Sequence, residues 1–304
     1  MDGILNIIKP PGMTSFDVIA YLRGLIGTKK IGHAGTLDPL AAGVLPVCVG
    51  KATKAIEFLM DKDKLYRTEL TLGVITDTQD SSGIVLSKVQ PNCSDDDIRT
   101  AVSAFIGAYN QMPPMYSAIR VGGKRLYDLA RSGVEIEREK RQVTVYSICI
   151  VDIDRNDGVK VILDIHCSKG TYIRTLCADI GDRLGCGGHM SFLLRKRAGP
   201  FDIESAVTLE ELRSRKEDGS LQEAMVSVDA VFENFRQVKL NELTEKQFLN
   251  GMSVTLQDNS FAAESLNNVE SCVTRVYGTT GRFIALGEVK KAAGRTNIRV
   301  KKFF

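Results

Sequence analysis

The 304-residue sequence is long enough for one large domain and a small one, and its 43% hydrophobic content and net charge of +3 are ordinary for a globular protein. It has no run of roughly 18 apolar residues, and its first residues lack the basic and apolar segments of a signal peptide, so we expect a cytoplasmic protein without a membrane span. Seven scattered cysteines without a C-x-x-C pair, and only three histidines, argue against a disulfide framework and a zinc site, so we expect reduced thiols and no metal.

The amino-terminal segment predicts a strand followed by a helix. The apolar strand ends at Lys9, where two prolines and a glycine interrupt it. We expect Ser15 to cap a helix that runs to Ile26, because apolar residues recur on one face and Gly27 follows as a stop.

A glycine-rich loop over residues 32–43, GHAGTLDPLAAG, is the most informative stretch of the chain. Its glycines permit backbone conformations that other residues resist, and Pro39 pushes Asp38 into an extended conformation. The apolar run Val44–Val49 then predicts a buried strand. A carboxylate on a stiff turn beside a buried strand favours a catalytic group, but an Asp-Pro pair in such a loop is also typical of an ordinary turn. The residues alone leave both interpretations open.

Three further elements precede residue 111. The pattern predicts a short helix over Lys54–Met60 and an alternating strand over Tyr66–Val74. Ser94, followed by three aspartates, predicts the start of a helix that runs to Phe105, because acidic residues stabilise the positive end of the helix dipole.

Residues 111–142 form an irregular and strongly basic segment. The basic and aromatic residues that alternate in it include Arg120, Lys124, Arg125, Tyr116 and Tyr127. Cations contact phosphates and rings stack on bases, so this alternation predicts contact with a nucleic acid. The alternative is a charged surface hairpin with a short helix near Arg125–Ser132, since acidic residues partly neutralise the segment.

The next elements form a hairpin and a helix. Strands over Val143–Ile153 and Val159–Cys167 alternate in polarity, and the Asn-Asp-Gly turn between them predicts an antiparallel pair. A helix should follow over Ile173–Leu184, with its apolar residues on one face.

Arg174 occupies an unusual position in the first turn of that helix. A cation there opposes the helix dipole, so helix stability does not explain it. A carboxylate partner would, and Asp38 is the candidate. A surface acid such as Asp179, or solvent, is the alternative.

The last third of the chain predicts a second, smaller unit. Thr208 and Glu211 form a capping box, and we place a domain boundary near residues 234–237. A short helix over Thr244–Asn250 and strands around 272–276 and 283–289 should follow. The basic clusters that predict a phosphate-facing surface, or else a solvated one, are Arg195–Arg197 and the set Lys290, Lys291, Arg295, Arg299, Lys301 and Lys302.

Two strings resemble motifs of the bacterial tRNA pseudouridine synthase B (TruB) family. The loop string GHAGTLDPLAAG is similar to its catalytic motif, and CSKGTYIRTL over residues 167–176 is similar to a second motif. The resemblance implies an α+β fold over residues 1–234, with a mixed, largely antiparallel central sheet flanked by helices and an insertion at 111–142 that grips RNA. Residues 235–304 more loosely resemble the PUA domain, a small β-barrel-like RNA-binding domain.

The resemblance also implies roles for individual residues. Asp38 would be the catalytic carboxylate and Arg174 its ion-pair partner, which favours the charged form of the carboxyl group. The supporting residues would be Tyr66, Tyr172 and Leu194, and His33 would stack within the RNA. The further RNA contacts that we expect are Arg120, Lys124, Arg125, Arg195, Lys290 and Lys291.

By this resemblance, the chain acts as a monomer that isomerises uridine 55 in the T-arm of elongator tRNAs to pseudouridine, with tRNA as its partner and without cofactor or metal. The N1–C1′ bond breaks and a C5–C1′ bond forms on a flipped-out nucleotide. Two other classes stay open: a non-catalytic tRNA-binding or tRNA-folding protein, and a small-molecule enzyme in which Asp38 is a general base.

Overall fold

A computed structural model describes residues 1–117, 120–131, 133–134, 136–256, 271–292 and 295–304, with the backbone alone at residues 120, 121, 124, 125, 128, 131, 291 and 292. The strands are β1 (Gly3–Lys9), β2 (Ile31–His33), β3 (Ala42–Val49), β4 (Lys64–Leu72), β5 (Val74–Thr76), β6 (Val85–Lys88), β7 (Gly107–Gln111), β8 (Arg120–Val121), β9 (Lys124–Arg125), β10 (Arg141–Asp154), β11 (Val159–Cys167), β12 (Gly188–Ala198), β13 (Phe201–Asp202), β14 (Met225–Val226), β15 (Gln237–Lys239), β16 (Val254–Leu256), β17 (Ser271–Tyr277), β18 (Phe283–Ala292) and β19 (Arg295–Phe303). The α-helices are α1 (Ser15–Ile26), α2 (Ile56–Met60), α3 (Asp95–Ser103), α4 (Leu126–Arg131), α5 (Ile173–Arg183), α6 (Leu209–Glu217) and α7 (Glu242–Leu249).

The main sheet has 10 strands and organises about the first three quarters of the chain, as far as β14. Its path runs β14-β1-β3-β12-β4-β11-β10-β7, with β2 beside β3 and β13 beside β12. The pairs are antiparallel except β3 with β12, where Ala42 lies opposite Leu194 and Gly43 opposite Arg195. The predicted α+β class with a mixed, largely antiparallel sheet is therefore confirmed.

The core forms on the apolar face of the main sheet, where every second residue of a strand points inward. Buried and partly exposed residues alternate strictly along β4 and β11, and the buried set packs against α3 and α5. Leu70 of β4 and Leu176 and Ile180 of α5 are fully buried in this cluster. Burying such a side chain contributes about 1.5–3 kcal/mol, so this packing fixes the start of α5 against the sheet.

Helix α1 begins at Ser15, but its N-cap is Thr14 instead of the predicted Ser15. The Thr14 hydroxyl accepts the Asp17 N–H at 3.1 Å, and the Asp17 carboxylate accepts the Thr14 N–H at 2.7 Å. Such a capping box needs an acceptor side chain three residues after the cap, which only Thr14 has here. Ser15 is instead buried, and its hydroxyl accepts the Leu37 N–H at 2.9 Å.

Other predicted elements form with shifted boundaries. The predicted helix over Lys54–Met60 is a 3-10 segment, Gly50–Ala55, that continues as α2. Strand β4 ends at Leu72, before the predicted Val74. The hairpin of β10 and β11 forms as predicted, and the segment 111–142 contains the short hairpin β8–β9 and α4.

A second sheet of 5 strands lies in the C-terminal part, in the order β15-β17-β18-β19-β16, and curls into a half-barrel. It has its own apolar cluster, which includes Phe248 and Ile298. A second cluster joins it to the main part, where the rings of Phe58, Phe232 and Phe304 contact one another. The boundary near residues 234–237 and the PUA assignment stay predictions.

All seven cysteines are free thiols, as predicted. Burial raises the pKa of Cys48, Cys167 and Cys177 to about 12, which keeps these thiols protonated. Within the described ranges, every helix is too short or too polar to cross a bilayer, and no three His, Cys, Asp or Glu side chains converge as a metal ion would require.

The single parallel junction of the main sheet yields a prediction for Gly43. This residue has φ +105°, and a Cβ there would lie 2.3 Å from the Arg195 carbonyl oxygen. We expect Gly43→Ala to lower the free energy of unfolding by more than about 2 kcal/mol, because both the backbone angle and the close approach exclude a side chain.

The matched control is Gly24→Ala in the exposed interior of α1, where no atom lies within 4 Å of an added Cβ. It should raise the free energy of unfolding by about 0.5–1 kcal/mol, since alanine is the better helix former. Urea unfolding of both variants checks the pair, and equal effects would contradict the account.

Candidate active site

A cavity of about 420 Å³ is lined by residues 35–38 of the glycine-rich loop and by the segment that begins α5. Asp38 projects into it from the loop, Tyr66 from β4, and Tyr172 and Arg174 from the segment that begins α5. The structure therefore brings together four of the residues that the sequence assigned to the site. Asp38 keeps 37% of its side chain accessible and Arg174 only 5%, so the carboxylate faces the cavity and the guanidinium lies behind it.

Asp38 and Arg174 form the predicted ion pair. Arg174 Nε lies 2.9 Å from Asp38 Oδ2, and Nη2 donates to Oδ1 at 3.4 Å. The alternative partner is wrong, because Asp179 instead accepts a hydrogen bond from the Tyr109 hydroxyl. Two contacts from a planar guanidinium fix the orientation of a carboxylate as well as its charge.

The remaining donors of Arg174 are also occupied. Nη1 donates to the Thr78 carbonyl at 3.1 Å and Nη2 to the Tyr116 carbonyl at 2.8 Å, while Asp80 Oδ2 lies 3.8 Å from Nη1. A buried cation is tolerated only when its donors are paired, so these partners hold Arg174 in one position.

Asp80 is a member of the site that sequence reasoning missed. It is 9% exposed and accepts hydrogen bonds from the Thr78 and Ser82 hydroxyls. The only signal available was a run of small polar residues at 76–83, which is equally typical of a surface turn. Gln79 within it has φ +63°, which marks a turn held by its surroundings.

Arg195 corrects one prediction. We expected it on an RNA-facing surface, but it is 1% exposed beneath the glycine-rich loop. Its guanidinium donates to the carbonyls of Val44 at 2.7 Å, Gly35 at 3.1 Å and Thr36 at 3.4 Å. Because its guanidinium binds carbonyls of the loop and of β3, Arg195 supports the loop from below, and it lies in the cavity lining instead of on an outer surface.

Lys9 holds the other end of the same loop. It is fully buried, and Nζ donates to the carbonyls of Pro10 at 2.8 Å, Met13 at 2.6 Å and Pro39 at 3.1 Å. Burial lowers the pKa of Lys9 to about 8, and the negative charge of Asp38 acts in the opposite direction. Lys9 and Arg195 thus bind loop carbonyls on both sides of Asp38.

Two tyrosines form part of the cavity wall. Burial raises the pKa of Tyr66 and of Tyr172 above the usual range of a phenol. Both hydroxyls therefore stay protonated at neutral pH and can donate a hydrogen bond to a bound group.

The apolar wall residue is Leu193 and not the predicted Leu194. Leu193 lines the cavity and is 7% exposed, whereas Leu194 is absent from the lining and lies opposite Arg67 on the neighbouring strand. Strand β12 contains a register shift between Met190 and Phe192. The alternation of residues along the strand therefore does not predict which side chains after the shift point to the cavity.

The predicted RNA contacts are spread over three regions. His33 is half-buried at the end of β2, and burial together with the charge of Arg195 lowers its pKa, so its ring is neutral at neutral pH. The backbones of Arg120, Lys124 and Arg125 form the hairpin β8–β9, but their side chains lie outside the described atoms, as does that of Lys291. Lys290 is exposed on β18. These RNA contacts stay predictions.

Comparisons with known proteins agree with this arrangement. Residues 23–173 match the model of the TruB family pseudouridylate synthase N-terminal domain, and residues 174–233 match that of the tRNA pseudouridylate synthase B C-terminal domain. The chain is 52% identical over 251 residues to a tRNA pseudouridine synthase B of Alkaliphilus oremlandii, covering 83% of this chain and 82% of that protein. It is 44% identical to the protein of the same name from Clostridioides difficile, with both chains covered completely.

Solved structures show the same fold. A chain of a Cbf5–Nop10–Gar1 complex superimposes with a TM-score of 0.74 at 27% identity, covering 99% of this chain and 84% of that one. A chain of an H/ACA ribonucleoprotein bound to a substrate RNA containing 2′-deoxyuridine superimposes with a TM-score of 0.72 at 25% identity, with the same coverage.

The buried position of Arg195 generates a stability prediction. Arg195→Met should lower the free energy of unfolding by about 3 kcal/mol, because it leaves two carbonyls of the loop and one of β3 without this donor. The control is Arg299→Met, whose side chain is 62% exposed and bonded only at the surface, and which should leave the urea midpoint nearly unchanged. Urea unfolding of the two variants checks this, and equal effects of the two substitutions would contradict the role of Arg195 in holding the loop.

Proposed function

Since the chain belongs to the TruB family of pseudouridine synthases, which are isomerases, we propose that it converts uridine 55 in the T-arm of elongator tRNAs to pseudouridine, with Asp38 as the catalytic carboxylate. The observation that carries this proposal is the ion pair of Asp38 with the buried Arg174 at the mouth of a cavity. A carboxylate held in place by a paired cation needs no reorganisation when it meets the substrate.

The reaction needs one well-placed anion and no net exchange of groups. The N1–C1′ bond breaks, the base turns, and a C5–C1′ bond forms, while N1 gains a proton and C5 loses one. Attack at C6, attack at C1′ and removal of the C2′ proton each require an ionised carboxylate, and Asp38 can supply it. Asp38 or Tyr66 then removes the C5 proton, and the raised pKa of Tyr66 means that its hydroxyl is protonated at neutral pH.

The cavity suits an extruded nucleotide. Tyr66 and Leu193 provide apolar walls, and two tyrosine hydroxyls with the Asp38 carboxylate provide polar contacts. Flipping a base costs a few kcal/mol, which phosphate contacts can offset. We propose that the insertion 111–142 and the C-terminal sheet, as a PUA-like unit of residues 235–304, supply these contacts. The similarity to a chain of an H/ACA ribonucleoprotein that is bound to a substrate RNA supports RNA as the ligand class.

Two further parts of the proposal follow from the resemblance to the family. We propose that the protein acts as a monomer and in the cytoplasm. Against the alternative of a tRNA-binding protein with a vestigial acid stands the exposure of Asp38, which keeps 37% of its side chain accessible in the cavity lining although Arg174, its partner, is buried.

Asp38→Asn should remove pseudouridine formation, because it keeps the shape of the side chain but loses the negative charge. We expect the single-turnover rate on a T-arm stem-loop to fall by on the order of 10²–10⁴-fold or more. The tRNA dissociation constant should stay within about threefold, because phosphate contacts dominate affinity. Conversion at the wild-type rate would show that Asp38 is not the catalytic group.

The position of the modified nucleotide forms a separate prediction. A complete tRNA transcript treated with the wild-type protein should carry pseudouridine at position 55 alone, and a transcript with cytidine there should carry none. Mapping of pseudouridine by chemical adducts and primer extension checks this result. Conversion at another position would overturn the site assignment, and binding without any conversion would favour the tRNA-folding alternative.

A further inference from the structure

Gln111 is a buried polar residue that joins the base of the insertion to the start of α5. It is the last residue of β7, lies opposite Arg141 of β10, and is 1% exposed. A buried carboxamide costs free energy unless its donor and acceptor are both paired. The partners of Gln111 therefore indicate what its side chain is placed to do.

Both partners belong to the backbone of one residue, Tyr172. Gln111 Oε1 accepts the Tyr172 N–H at 2.7 Å, and Gln111 Nε2 donates to the Tyr172 carbonyl at 2.9 Å. The same carbonyl accepts the Leu176 N–H in the first turn of α5. Tyr172 is the N-cap of α5 and has no side-chain cap bond of its own. Gln111 therefore satisfies the N–H that this helix start leaves open and gives the Tyr172 carbonyl a second donor.

The segment that Gln111 holds carries the catalytic cation. Tyr172 lines the cavity, and Arg174 follows two residues later with its contacts to Asp38. Five residues after Gln111, the Tyr116 carbonyl accepts a hydrogen bond from Arg174 at 2.8 Å. The insertion thus contacts the Arg174 region twice, once at its backbone and once at its guanidinium.

From this geometry we infer that Gln111 is a positioning residue, which sets the place of Tyr172 and Arg174 relative to Asp38 through its two backbone hydrogen bonds. The inference rests on the proposed role of Asp38. A misplacement of about 1 Å at a reacting group can cost on the order of 100-fold in rate, and it affects turnover more than substrate binding.

The Gln111 carboxamide provides one donor and one acceptor, and the test replaces it with a group whose donor is present only when the group is protonated. In Gln111→Glu, the ionised carboxylate accepts the Tyr172 N–H but repels the Tyr172 carbonyl. The protonated acid has an O–H donor and an acceptor oxygen, and so restores both hydrogen bonds. The groups that face this position are Tyr109 on the same strand, which contacts the Gln111 side chain, and Arg141 on β10. Burial raises the pKa of a carboxyl group there and the Arg141 cation lowers it, so the pH series locates the change.

We expect Gln111→Leu, which has no donor or acceptor, to lower kcat on a T-arm stem-loop by on the order of 10–100-fold while KM changes by about twofold or less. For Gln111→Glu, the kcat of the variant divided by the kcat of the wild type should rise as the pH falls from about 8.5 to about 5.5. Gln222→Glu introduces the same charge at an exposed position, and its kcat ratio to the wild type should not change with pH.

The inference would be overturned by two results together: a kcat ratio for Gln111→Glu that does not change with pH, and a wild-type kcat for Gln111→Leu.

Amide hydrogen exchange gives a readout that is independent of activity. The Tyr172 amide should exchange faster in Gln111→Leu than in the wild type, while amides of β4 and β11 keep their protection. Unchanged protection at Tyr172 would overturn the inference. If Asp38→Asn converts uridine at the wild-type rate, the proposed role of Asp38 is rejected, and if the wild type converts no uridine, the proposed function is rejected; in both cases exchange at Tyr172 still decides whether Gln111 holds the start of α5.

Discussion

The ion pair of Asp38 with Arg174 is the interaction on which the rest of the site depends. A guanidinium that is 5% exposed has lost most of its hydration, and the carboxylate alone does not compensate for that loss. The Thr78 and Tyr116 carbonyls complete its pairing, so three separate segments must converge before the charge can be buried. The geometry of the cavity therefore follows from the need to satisfy one cation.

The loop that carries Asp38 is held by a different device. Lys9 and Arg195 are both buried, and both donate to loop carbonyls instead of carboxylates. Gly43 permits this arrangement, because the backbone of Arg195 occupies the space that a side chain at position 43 would need. A sharp turn leaves some carbonyls without hydrogen-bond partners in its own backbone, and here two long cationic side chains donate to these carbonyls.

Much of this could be predicted from the sequence, because it depends on local patterns. Alternation along β11 and the turn before Val159 gave the hairpin, and Arg174 at a helix start indicated a carboxylate partner. Arg195 could not be placed, because three consecutive basic residues resemble a surface cluster until the pairing of β12 with β3 is known. Leu193 and Asp80 were missed for a similar reason, since a register shift and a tertiary contact leave no local pattern.

The hydrogen bonds that hold the loop have a consequence for the effect of ionic strength. Dissolved ions weaken attractions between exposed charges, but they act much less on buried ones. Lys9 and Arg195 are both shielded from solvent, whereas contacts between surface lysines and a polyanion are not. Added salt should therefore weaken the proposed capture of a nucleic acid long before it loosens the loop around Asp38.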